Sequence, residues 1–505
     1  MPISQLLIKH PYVTGIVGSL LISVFLINSN PLFNTDGVLY LRAAQAFTTG
    51  GIDAAIELYP RPFYSILIGL IHQASGLNLI HAAYLLNTSL LAGLVCAFIS
   101  LAGLFSDKER IHLLAALTII IFAGLNEHRH YIIRDFGYWA FSLAAIGCFL
   151  RHYLNLQVSF FIGWLGCTSI AALFRPEASI LLLLPLCRLA DLSLADKQLG
   201  RYYSQVMMVV IILPLLLWVI DLVLQANLYV SLLDTINGEL QSFRQAQPGS
   251  FAEAADRFAG QVLNRYSEKY AQPALMMALM YIFFAKFFGL LGLAYLAAIG
   301  TALFLSRRYQ LIPRNILLPY LFVVILLALP VLDFLANSQF LQARYTMLIV
   351  LVCMLMIPSM LDILHEKYRN RFASGWQKWG LVLLMLYTLF DSLVSFGHSK
   401  RYLLEGVDWL QSNASAGASL YSNNAQIAYM SGLEVNWKDS RDFQYAGFVT
   451  SVNDYDYWAV KINKNDRLLQ FFMRQRANQL EKLVQFSNGR GDQLVIYKTR
   501  SVTEH

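Results

Sequence analysis

Three carboxylates and a group of arginines stand at the ends of apolar runs in this chain. Asp36 follows the first run, in NTDGVLYLRAAQAF, Asp135 precedes the fourth, in YIIRDFGYWAF, and Glu177 lies in FRPEASILLLLP. Near such ends stand Arg42, Arg61, Arg129, Arg134, Arg175 and Arg344, set among Tyr40, Tyr59, Tyr131, Tyr138 and Tyr345. A guanidinium is a planar fork of donors that matches phosphate oxygens, and tyrosines suit the lipid–water boundary. The pattern therefore points to a phosphate or pyrophosphate carried on a lipid. Transfer of a group from such a phosphate to a hydroxyl needs a base for the acceptor proton. It also needs cationic stabilisation of the departing phosphate. A carboxylate with several arginines supplies both.

Plainer readings stand beside this one. The arginines could be interfacial salt bridges and snorkelling side chains. Asn34, Thr35 or Asp36 could cap the helix that follows, and Asp135 could pair with Arg134 or Arg129. Pro176 accounts for a break between spans. It does not account for Arg175 and Glu177 on either side of it, and charges at that depth are functional candidates. Lys286, in FFAKFFGLLG, either contacts a lipid phosphate or forms an ion pair within the bundle.

The elements that must position these residues are membrane helices. Of 505 residues, 57% are hydrophobic and 14% charged, against roughly 25% charged in soluble proteins. This composition predicts a polytopic α-helical membrane protein. Runs long enough to span a bilayer recur near 11–28, 79–105, 111–126, 136–150, 158–174, 178–190, 205–225, 273–305, 315–332, 345–362 and 378–397, about eleven spans, with a break in the eighth near Gly289 and Gly292. The first run lacks a small-residue cleavage site and is read as a retained span.

The stretch 61–76 either crosses the membrane or lies on its outer surface. The positive-inside rule favours a surface helix, because SDKER and SRRYQLIPR then stay with the other basic loops. That places the N-terminus in the cytoplasm, and loops 29–78 and 226–272, with the candidate residues, on the outer face. Residues 1–397 form the membrane module, with helices in loop 226–272. From 398 the composition turns soluble. Segments 401–413, 418–423, 425–432, 455–463, 467–486 and 492–500 read as helix, strand, helix, strand, long helix and strand, a C-terminal α/β domain outside the membrane.

Several classes lose ground. Cys96, Cys148, Cys167, Cys187 and Cys353 all fall in apolar spans without a C-x-x-C pair, which reads as buried small hydrophobes. Signatures of a P-loop, a dinucleotide fold, a zinc protease or a serine hydrolase are absent. The net charge of +7 fits basic cytoplasmic loops, and no soluble basic domain suggests nucleic acid. Glu127, His128 and His130 in EHRH lack a recognised ligand spacing and read as an interfacial cluster.

The order and sidedness of these segments resemble the glycosyltransferase C superfamily, in the bacterial branch related to protein O-mannosyltransferases and the lipid A aminoarabinose transferase. The resemblance rests on TDGVLYLRAAQAF, RPFYSILIGLIHQASG, YIIRDFGYWAF, FRPEASILLL and LQARYTMLIVL, with SLYSNNAQIAYMSG in the tail. It implies a polyprenyl-phosphate sugar as donor and a glycan, lipid or protein as acceptor, at the outer face of a bacterial cytoplasmic membrane. It makes Asp36 the general base. Asp135 becomes the second-loop acid that orients the acceptor or holds a divalent metal where one is used. Arg344, before Tyr345, would bind the lipid phosphate, with Arg42, Arg61 and Arg134 in support. Gly37 departs from the family's paired acids, which weighs against a first-loop metal. Two rivals belong to other classes. A transporter or lipid-glycan flippase would show repeats and midplane charges, and a scaffold would leave the acid–arginine set without a role.

Overall fold

The computed structural model describes residues 9–106, 108–188, 251–372, 387–391, 393–394, 400–415, 417–437, 454–466, 469, 473, 476 and 478–500. The expected span 205–225, the loop over 226–250 and most of the expected span 378–397 lie outside the described residues. In chain order the helices are α1 (Pro11–Ser29), α2 (Thr35–Leu58), α3 (Phe63–Ser75), α4 (Leu79–Ala102), α5 (Glu109–Ile120), α6 (Asp135–Asn155) and α7 (Val158–Phe174). After a 3-10 segment, Pro176–Arg188, come α8 (Phe251–Val262), α9 (Ala271–Ser306), α10 (Arg314–Ser338), α11 (Met347–Met354), α12 (Met356–Phe372) and α13 (Arg401–Asn413). The tail continues as β1 (Leu420–Ser422), α14 (Ala425–Met430), β2 (Tyr457–Ile462), β3 (Leu480–Ser487) and β4 (Gln493–Thr499).

Local chemistry sets many of these boundaries. Helix α1 opens on Pro11, whose missing N–H costs nothing in a first turn. Helix α3 stops at Gly76, which takes the left-handed conformation with φ 71°, a common helix terminator. The break expected in the eighth span falls at Gly292 within α9. Among the described residues, five helices are long and apolar enough to cross a membrane: Pro11–Ser29, Leu79–Ala102, Glu268–Ser306, Arg314–Ser338 and Ala343–Glu366. Helix α3 has 13 residues. At about 1.5 Å per residue that is roughly 20 Å, short of the ~30 Å hydrocarbon core.

The chain divides into two compact units, one of 1–22, 88–127 and 134–393, the other of 23–87, 128–133 and 394–505. In the first, α6 and α7 pack as an antiparallel pair. A Cβ on Gly137 would come 2.4 Å from the Phe174 ring, so glycine is what lets the start of α6 approach the end of α7. At the other end Lys108 and Arg110 each reach both Asp362 and Glu366, at 2.7–3.0 Å. These bridges join the segment SDKER to α12 at Asp362 and at Glu366, the latter in HEKYRNRF. With two cations, the carboxylate of Asp362 is paired although buried.

In the second unit the tail forms a four-stranded sheet in the order β1-β2-β4-β3. Strands β1 and β2 are parallel, and the other neighbours are antiparallel. Helix α13 covers one face with Tyr402, Leu403, Val407 and Leu410 against Leu420, Ala459, Leu494 and Ile496. The expected long helix over 467–486 is corrected at its end, because 480–487 is strand β3. Val484 and Phe486 alternate onto the α13 face, a period of two. Asn488–Asp492 then turns the chain back, with the Asn488 and Asp492 backbones and side chains hydrogen-bonded.

Candidate functional site

In the first unit, three connections that the charge bias put on one face meet at Asp135. Asp135 is the first residue of α6, where its charge suits the positive end of the helix dipole. Arg175 follows α7, and Pro176 after it forces an extended backbone, seen as φ −147° and ψ 118° at Arg175. Arg344 lies in a 3-10 turn, Ala343–Thr346, ahead of α11.

Asp135 is buried, and its Oδ1 accepts from Arg175 Nη1 at 2.5 Å. Arg175 also grips Glu177, through Nη2 at 3.0 Å and Nε at 3.4 Å. Arg344 approaches the other oxygen of Asp135 more loosely, at 4.0 Å. Rings frame the cluster: the Arg175 guanidinium lies 4.7 Å from the Tyr345 ring centre and 5.5 Å from that of Tyr138. Such contacts add cation–π attraction where water is thin. Burial alone would push the Glu177 carboxyl up, but the charge and hydrogen bonds of Arg175, with Arg134 nearby, hold it at about 2. Glu177 is therefore ionised at neutral pH.

Thus Asp135, Arg175, Glu177, Arg344 and Tyr345 come together. An ion pair of Asp135 exists, and Arg175 is its close partner. Arg129, in the second unit, is buried and donates to Ser23 Oγ at 2.7 Å. Lys286 is exposed on α9 and, among the described residues, forms no ion pair with this cluster.

Asp36 belongs to the second unit, in the first turn of α2, half-buried. Asn34 occupies the N-cap position without a side-chain cap bond. Its Oδ1 instead accepts from the Ile132 backbone N–H at 2.8 Å. The loop 128–133 is held further by Asn87 Nδ2 on the Tyr131 carbonyl at 2.9 Å. The Tyr64 hydroxyl in turn donates to Asn87 at 2.7 Å. A Cβ on Gly37 would lie 2.9 Å from the Phe33 ring and 3.0 Å from Ile132. Packing thus excludes a second acid beside Asp36. Arg61 is half-buried in the connection between α2 and α3.

Sequence reasoning missed a cleft of about 640 Å3 in the second unit, lined by Arg42, Gln45, Ala46, Thr49 and Leu58 with Ala428, Tyr429, Gly432, Leu433 and Trp437. Arg42 lies over Trp437 at 4.0 Å. One wall was visible as an i, i+3, i+4, i+7 stripe on α2, but nothing local pairs it with Trp437, far along the chain.

A divalent metal fits poorly. Among the described residues no three His, Cys, Asp or Glu side chains converge. Gly37 admits no acid, and both oxygens of Asp135 face arginines.

No family model and no curated protein match the chain. Solved structures do. The Archaeoglobus fulgidus oligosaccharyltransferase, in complex with Zn and sulfate, matches with TM-score 0.51 and 14% identity over 88% of this chain and 68% of that one. The same protein tethered to an acceptor peptide containing the NVT sequon matches with TM-score 0.53 and 13% identity, over 98% and 74%. ArnT from Cupriavidus metallidurans, in the apo state, covers 96% of this chain and 97% of its own at 12% identity, and its TM-score of 0.43 is too low to argue from. At such identities the first two matches show a shared fold alone. It is the fold that the resemblance to the glycosyltransferase C superfamily implied.

Proposed function

We propose that this chain is a membrane glycosyltransferase that moves a sugar from a polyprenyl-phosphate donor to an acceptor hydroxyl, at the outer face of a bacterial cytoplasmic membrane. The observation that carries the reading is the meeting of Asp135, Arg175, Glu177 and Arg344, framed by Tyr138 and Tyr345, at the ends of apolar helices. The shared oligosaccharyltransferase fold supports it.

In the proposed reaction Asp36 takes the proton of the acceptor hydroxyl. The acceptor oxygen forms its bond to the anomeric carbon as the bond from that carbon to the phosphate oxygen breaks, and the lipid phosphate departs with the electron pair. Arg344 is the candidate to receive that charge. Arg175 divides its donors between Asp135 and Glu177, which suits it to holding the cluster in shape. In this reading Asp135 positions arginines and does not itself take a proton. Arg61 and Arg134 stand in support.

Purified full-length protein, given radiolabelled polyprenyl-phosphate sugar and envelope acceptors, tests this. Transfer by wild type is expected, with about a 10²–10⁴-fold loss in a folded Asp36→Asn variant, the range for a general base. Absence of transfer by wild type, or full activity in Asp36→Asn, would overturn the mechanism.

A further inference from the structure

We propose that Gln426, on α14 of the tail, is a positioning residue that fixes the turn carrying Asp36. Both belong to the second unit. Residues 32–34 lead into α2, and each of them is gripped from a distance. Leu32 packs against the core that α13 and the sheet form. The Phe33 carbonyl accepts from Gln426 Nε2 at 2.5 Å, across 393 positions of sequence. The buried Phe33 ring meets Tyr429 edge-on, with 6.3 Å between ring centres. Asn34 takes the Ile132 N–H on its Oδ1 at 2.8 Å.

These grips stand in for a local one. A helix start is usually fixed by the side chain at its N-cap, and Asn34, which holds that position for α2, makes no such bond. The first turn of α2, with Asp36 in it, is therefore oriented by partners from elsewhere in the chain. The loop 128–133 is one of them, held in turn by Asn87 on the Tyr131 carbonyl and Tyr84 on the His130 carbonyl. Helix α14 is the other. Its own N-cap is made, with Asn424 Oδ1 accepting from the Ile427 N–H at 3.1 Å. Its far end is tied by Gln411, which donates to the Met430 carbonyl at 2.7 Å. Gln426 thus projects from a helix secured at both ends.

A backbone carbonyl only accepts, so the bond to Phe33 needs the donor end of the Gln426 amide. A movement of Phe33 is passed on, because its ring lies 2.9 Å from where a Cβ on Gly37 would be, and Gly37 follows Asp36. On the proposed transferase reading, the Asp36 carboxylate must come within hydrogen-bond reach of the acceptor hydroxyl. Misplacement by about 1 Å can cost on the order of 10²-fold in rate. Gln426 acts through Phe33 and touches no reacting atom. The tail then contributes to the rate of transfer by holding the turn in place.

The test combines hydrogen exchange and transfer kinetics in full-length protein in nanodiscs. Two amides report on the turn: Gly37 N–H, which donates to the Asn34 carbonyl at 3.1 Å, and Ile132 N–H, which donates to Asn34 Oδ1. Gln426→Glu keeps the size of the side chain and sets a carboxylate oxygen against the Phe33 carbonyl. Exchange of the two amides should quicken about tenfold, and kcat should fall about 10- to 100-fold with KM within about twofold. Gln426→Arg, which keeps an N–H donor, should recover most of both. Gln411→Glu removes a comparable bond inside the tail and should leave the two amides at their wild-type rates. Wild-type exchange in Gln426→Glu would overturn the proposal. So would faster exchange with unchanged kcat, or an equal response in Gln411→Glu. If wild type transfers no sugar, faster exchange in Gln426→Glu still supports the clamp, and only the reaction assigned to Asp36 falls.

Discussion

At the scale of residues, the main lesson is that one arginine organises two acids. Breaking a buried pair by removing one partner typically costs about 3–5 kcal/mol, because the other charge stays behind. Arg175→Ala leaves buried Asp135, whose side chain is 4% exposed, with the looser 4.0 Å approach of Arg344. Its expected loss falls in that range, read as a lower unfolding midpoint in detergent. Replacing Asp135 and Arg175 together by apolar residues should cost less than Arg175→Ala alone. The pair also sets an acid limit. Glu177 is held at about 2, below its ordinary value of 4.5. A depressed carboxyl contributes stability that is complete above its unfolded value and is lost as pH falls through the folded one. The Arg175–Glu177 contribution is therefore full above about pH 4.5 and fades toward pH 2. In Glu177→Gln the unfolding midpoint should be lower at neutral pH and flatter across that window. An unchanged acid limb would show that Glu177 does not supply it. The sequence exposed these residue types and their places at span ends, but not who pairs with whom. Arg134 and Arg129 were nearer along the chain, whereas the close partner of Asp135 is brought in by the close packing of α6 and α7 at Gly137.

At the scale of elements, periodicity read well where one period dominated and failed where two competed. The apolar runs and α13 are unmixed patterns. QLEKLVQF carries Leu480, Leu483, Val484 and Phe486, a spacing that fits a helix face as well as a strand with a bulge. Pairing with β4 decides it, and the register shift between Lys482 and Val484 conceals the alternation. Packing of α13 on that sheet is close enough to test. A Cβ on Gly406 would come 2.1 Å from Leu494 Cδ2. Overpacking of this kind costs typically about 1–3 kcal/mol. Gly406→Val should accordingly make the tail more sensitive to limited proteolysis in the membrane-embedded protein. Cleavage at the wild-type rate would mean that Leu494 moves aside without cost.

At the scale of the whole molecule, orientation rests on charge bias and on which connections meet. The connections at Asp135, Arg175 and Arg344 gather in one cluster, and the segment SDKER is tied at another place to Asp362 and Glu366 by four ion pairs. A multi-span chain in which basic loops pair with one another's acids, while arginines and tyrosines gather elsewhere, has two chemically different faces. The positive-inside rule then predicts which face is cytoplasmic. Single cysteines on a background without Cys96, Cys148, Cys167, Cys187 and Cys353 make this measurable in intact cells. Gly489→Cys, exposed in the turn between β3 and β4, should react with an impermeant thiol reagent from outside. Glu109→Cys, exposed at the start of α5, should react only after the membrane is opened. The reverse pattern would invert the orientation and put the acid–arginine cluster on the cytoplasmic side. The donor lipid would then have to present its sugar on that side. Labelling of both positions from the same side would break the span parity between 109 and 489, which requires an odd number of crossings and so bears directly on the spans beyond those described.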